Sequence, residues 1–126
     1  MATDITINDT IPFVIGRNRD TRKAVIAQNA SATADMKAGT LLAVNANGKL
    51  KPCVMASVGV TATYPVSALI HDIPKASLVA GDVEADVVFN TMLNKAYVED
   101  VNENLTIGET FIWEAIKNGL DIREMV

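Results

Sequence analysis

Residues 38–52 read AGTLLAVNANGKLKP, and this stretch decides the fold. Gly39 makes a turn, and Thr40 to Val44 is a short apolar run. Asn47-Gly48 stands at the tip, where both central residues of a tight two-residue hairpin turn take positive φ. Lys49-Leu50-Lys51 then alternates outside, inside, outside. Pro52 closes the ladder because it has no N–H to donate. The reading is a β-hairpin, and the rest of the chain is placed around it.

Downstream, Pro65 sets up a second apolar strand over Val66 to Ile70. His71-Asp72 begins a turn, and Pro74 prevents any central ladder from continuing. Val83, Ala85, Val87 and Phe89 alternate with Glu84 and Asp86, the pattern of a strand with one wet face. Gly39-Thr40, Gly81-Asp82 and Gly108-Glu109 each precede a strand or helix and read as repeated turn chemistry. Residues 90–98 allow a short helix or an irregular lobe. Thr110 to Asn118 is the strongest helix, with Thr110 as N-cap, Ile112, Ala115 and Ile116 on one face, and Gly119 as terminator. Leu120 and Ile122 open a terminal alternating strand that could close the sheet.

Upstream, Thr3, Ile5, Ile7, Ile11, Phe13 and Ile15 fall at odd positions, again a strand alternation, broken by Asp9-Thr10 and Pro12. Two readings are open. The segment is an extended arm that pairs with a sheet edge of another chain, or it is the first strand of the domain's own sheet. Arg17, Arg19, Arg22 and Lys23 follow, four of the eleven basic residues. They form either a solvated face or a contact for an acidic partner surface. Ala24 to Ala27 is a plausible strand. The expected division is therefore an arm over residues 1–23 and a single β-rich domain over residues 24–126. The fold class is mainly β (α+β): a small compact sheet or barrel-like body, a short C-terminal helix and an extended N-terminal arm.

The 126 residues suit one domain, and hydrophobic residues make up 49% of them against 5% aromatic. The core must be built from Val, Ile, Leu and Ala. The single cysteine, Cys53, cannot form an internal disulfide, which fits assembly in a reducing cytosol. No apolar run approaches the roughly 20 residues of a membrane span, and the N-terminus shows no secretory signal. Net charge is −4, divided as +3 over residues 1–63 and −7 over residues 64–126. That balance disfavours nucleic acid and suits a polarised molecule that docks one end on a charged protein surface.

Catalysis needs convergent groups, and few are present. The one histidine, His71, adjoins Asp72, but neighbours on an extended chain point in opposite directions. Ser57, Ser67 and Ser77 sit in no nucleophile elbow. One His and one Cys supply no zinc site. Asp82, Glu84 and Asp86 read as a solvated strand face rather than a calcium loop. No phosphate loop occurs. Lys37 precedes its strand instead of crowning a hairpin, unlike the lysine of a biotinyl or lipoyl carrier. Cys53 reads as a buried, inert thiol, and Trp113 as a core residue or an interface anchor. No catalytic, cofactor-binding or metal residue is assigned, and the chain is not expected to be an enzyme.

Ala38-Gly39-Thr40-Leu41-Leu42, Asn47-Gly48-Lys49-Leu50, Pro65-Val66-Ser67-Ala68-Leu69-Ile70 and Asp82-Val83-Glu84-Ala85-Asp86-Val87-Val88, continuing to Asn94 and Glu99-Asp100, stand in a telling order. Over roughly residues 36–126 this order resembles the lambda-type head decoration proteins of tailed phages. The resemblance implies a structural virion protein made in the host cytoplasm. It would seat as a homotrimer at three-fold positions on the outside of the expanded capsid and cement capsomers against the pressure of packaged DNA. The partner would be the major capsid protein, with no direct nucleic-acid or membrane contact. The capsid-contact candidates lie in the arm: Thr3, Ile5, Ile7, Ile11, Phe13 and Ile15, then Arg17, Arg19, Arg22 and Lys23. Removal of residues 2–16 is expected to abolish capsid binding and to leave the body folded. The alternative reading is a small β-barrel module that binds a ligand or glycan.

Overall fold

The hairpin forms, with a different turn. The computed structural model describes residues 11–16, 19–31, 33–103 and 105–124. Strands β3 (Leu41–Val44) and β4 (Leu50–Pro52) pair antiparallel, with Val44 opposite Leu50 and Leu42 opposite Pro52. Asn47 does not take positive φ; Gly48 does, at 79°. The connection is a longer loop. The Gly48 N–H donates to the Asn45 carbonyl at 3.0 Å, and the Asn45 N–H to the Lys49 carbonyl at 2.8 Å. The Asn45 side-chain oxygen accepts from the N–H groups of Asn47 and Lys49 as well, at 2.9 and 3.0 Å. A turn closed by a left-handed glycine, with an Asn ahead of it, is the usual form of a longer hairpin loop.

Five strands close into a barrel in the order β2-β4-β3-β5-β6, where β2 is Asp20–Ile26, β5 is Ser67–Leu69 and β6 is Val83–Phe89. The backbone of closure is the antiparallel β2–β6 ladder, in register from Asp20 opposite Phe89 to Ile26 opposite Val83. A second sheet, β1-β7-β8, joins Val14–Ile15, Thr91–Asn94 and Leu120–Arg123. Its β7–β8 pair is parallel, and β8 is the terminal strand expected from Leu120 and Ile122, both buried. The architecture is mainly β, with a short helix near the C-terminus.

Successive side chains on a strand point to opposite faces, and here each face has its own core. Leu42, Leu69 and Val87 join Ile26 and Leu50 in one apolar cluster, the barrel interior. Their neighbours Leu41, Ala68 and Val88 join Phe13, Leu93, Leu120 and Ile122 in the other, between the barrel and the second sheet. The strict alternation expected of β6 therefore holds only as far as Asp86; Val87 and Val88 are both buried because both faces of the strand are covered there.

Among the described residues, three helices complete the fold. Helix α1 (Lys75–Ala80) starts behind Pro74, and its one buried residue is Leu78. Residues 90–98 divide into β7 and the start of α2 (Lys95–Val101), whose N-cap Asn94 accepts the Ala96 N–H at 3.1 Å. Helix α3 (Glu109–Lys117) is capped by Gly108, not by Thr110, which lies inside it; Phe111 and Ala115 are its buried residues. Of the three glycine turns only Gly39 has positive φ, at 95°, while Gly81 is extended and Gly108 lies at −102°. They do not share one turn chemistry.

The expected arm is altered at its inner end. Thr3, Ile5, Ile7 and Arg17 lie outside the described residues. Ile11 and Phe13 are core, and Phe13 is sealed from solvent with its ring 5.5 Å from that of Tyr97. Val14 and Ile15 pair with Leu93 and Met92. The first-strand reading is the correct one at Val14–Ile15, and Ile11 and Phe13 enter the core from the turn just before it, where the Val14 N–H donates to the Ile11 carbonyl. Residues 20–23 belong to β2, so the barrel begins before residue 24.

Candidate interaction surface

Side chains singled out for chemistry are occupied structurally or stand apart. The Asp72 carboxylate accepts the Ala38 N–H at 2.7 Å, and His71 is exposed. Asp82 pairs with Lys49 at 2.6 Å and accepts the Gln28 N–H at 2.8 Å. The Lys49 hydrogen bond, and then that of Gln28, hold its pKa below the ordinary 3.8. Asp86 pairs with Lys23 at 3.1 Å, and Glu84 is exposed. Burial pushes the Cys53 thiol up to about 12, so thiolate is scarce at neutral pH. Among the described residues no His, Cys, Asp or Glu side chains gather in a group of three that could hold a metal ion. No helix among them is long and apolar enough to cross a membrane.

What the surface offers instead is apolar contact. From Pro52 to Ile70 the chain carries no charged residue. Residues 54–63 of this segment leave the barrel as a narrow finger. The Thr63 N–H donates to the Val54 carbonyl at 3.0 Å, and the Val54 N–H to the Thr63 hydroxyl at 2.9 Å. Ser57 and Val60 exchange both backbone hydrogen bonds, at 3.1 and 2.9 Å, below a Val58-Gly59 tip. Val58 is 102% exposed, and Val54, Met55 and Val60 are exposed as well. A single exposed valine is ordinary on any surface, but here four apolar side chains are exposed on one uncharged projection.

Of the ten arm candidates, Ile11 and Phe13 are taken up by the protein's own core and are not available to a partner. Ile15 and Arg19 are half-buried. Arg22 and Lys23 are exposed on β2, with Lys23 already bound to Asp86. The pattern SVGVTATY over residues 57–64 suits a strand or a loop equally and does not mark the finger; its missing charge is the legible signal. Trp113 is not core. It stands on α3 at 62% exposure, and exposed Ile116 follows one turn later. Comparison with family models, with curated proteins and with solved structures finds no match to this chain.

Proposed function

We propose that this chain is a structural virion protein of the head-decoration type. It binds the outside of an expanded tailed-phage capsid as a trimer at three-fold positions and cements capsomers against internal DNA pressure. The observation that carries the reading is the uncharged apolar finger with Val58 at its tip. A binding protein of this kind needs shape, apolar area and strand pairing, and no reactive centre. Three copies on one trimer raise effective concentration, so modest contacts add up to durable binding. The test is co-sedimentation with purified lambda-type heads, before and after expansion. Binding confined to expanded heads is the expected result; absence of binding at micromolar protein overturns it.

A second reading, the small β-barrel ligand module, is favoured by one observation. A cleft of about 590 Å³ opens beside β2 where the barrel strands part.

A further inference from the structure

Strand β2 is paired with β6 along its whole length, but with β4 only where Ile26 meets Leu50. From Asp20 to Val25 its second edge faces a gap, and the tip of the β3–β4 hairpin stands across it. That gap is the 590 Å³ cleft. Its walls and floor are Ala24, Val44, Leu50, Val66, Val87 and Phe89. Barrel mouths of this size and lining are common sites for small ligands.

Three features give the cleft a chemical preference. First, its charged lining residues are Arg22, Lys23 and Lys49, with no carboxylate among them. Lys23 and Lys49 are held by Asp86 and Asp82. Arg22 has no hydrogen bond or ion pair among the described residues. Second, Arg22 sits opposite Val87, a barrel-interior residue, so its side chain leaves β2 on the interior side. Asp20, two residues back on the same side, is tied to the Asn90 amide at 2.9 Å. Third, Ser67 lines the cleft at 3% exposure, and its hydroxyl is buried with no hydrogen-bond partner among the described residues. Buried polar groups without partners are rare in folded proteins.

We propose that this cleft binds a small amphiphile with one carboxylate head and an aliphatic body. The Arg22 guanidinium takes the carboxylate, for which its planar fork is suited. The aliphatic body lies on Val44, Val66, Val87 and Phe89 and is removed from water. The Ser67 hydroxyl supplies a second donor at the floor. An aliphatic body is favoured over a glycan as occupant, because sugar hydroxyls laid on Val44, Val66, Val87 and Phe89 would be desolvated there. This inference rests on the ligand-module reading and is independent of shell binding.

The experiment is a titration of the ¹⁵N-labelled full chain with sodium decanoate below its micelle concentration, with decanol and maltotriose in parallel. Saturable shifts at the amides of Val44, Leu50, Ser67 and Phe89 are expected for decanoate. Arg22→Gln should weaken decanoate at least tenfold and leave decanol unchanged. Ser67→Ala should melt no lower than the parent protein and bind decanoate more weakly. Equal affinity for decanol, preference for maltotriose, or shifts that never saturate each overturn the proposal. Saturable binding of decanoate at another surface would also sink it, while leaving a ligand-module role standing.

Discussion

The Asn102 side-chain oxygen accepts the Leu41 N–H at 2.9 Å, joining residues 61 apart in sequence. The same amide donates to the carbonyls of Gly39 and Val98, at 3.0 and 2.7 Å. Asn102 is the C-cap of α2 and is buried. One side chain thus ends a helix and fixes the entry of the chain into β3. Truncating it leaves buried backbone groups unpaired, at a cost of about 1–3 kcal/mol for each such group. Asn102→Ala is expected to lower stability by about 2–4 kcal/mol in urea unfolding, with the m-value unchanged. A loss below about 0.5 kcal/mol would mean that water replaces all three bonds.

Phe13 moves the boundary of what can be cut away. It is sealed in the core against Tyr97, and Phe→Ala at such sites costs about 3–5 kcal/mol. Removal of residues 2–16 deletes Ile11, Phe13 and β1 together, so the expectation that the body survives this cut is withdrawn. Circular dichroism should show no cooperative melt for that truncation. Trimming residues 2–9 keeps all of these contacts and should preserve one.

The hairpin, the β6 strand, helix α3 and the terminal strand were legible because each carries its own period or punctuation over four or more residues. Four other features were not. Helix α1 is six residues long with one buried side chain, Leu78, so it has no periodicity to read. The closure of β2 on β6 pairs residues 57 to 69 apart in sequence, and local sequence does not encode partners at that range. The arm reading failed at Ile11 to Ile15 because alternation specifies a strand and says nothing of whose sheet it joins. The cleft depends on β2 and β4 meeting at a single rung, which only the assembled barrel reveals.

Asp82 gives a pH signature. Its carboxyl is held below the usual value by Lys49 and the Gln28 N–H, so the charged form is favoured in the folded state. A depressed folded pKa stabilises above the unfolded value, and that contribution is lost as pH falls through the folded one. Stability should therefore decline from about pH 4 downward, with part of the decline due to this group. Carbon-detected titration should place Asp82 below 3.8 and move it back toward that value in Lys49→Met. A titration unchanged by that substitution would show that the Lys49 contact does not persist in solution.

Val58 separates folding from binding. A side chain at 102% exposure makes no packing contribution, so Val58→Asp should change stability by less than about 0.5 kcal/mol. The same change places a charge at the tip of a finger that has none, where docking against an apolar shell surface would desolvate it. Co-sedimentation with expanded heads should fall at least tenfold. The control for charge is Val79→Asp, at a partly exposed residue of α1 remote in sequence from the finger, which should bind as the parent protein does. Equal loss in both variants would point to net charge as the cause, and undiminished binding by Val58→Asp would remove the finger from the shell contact altogether.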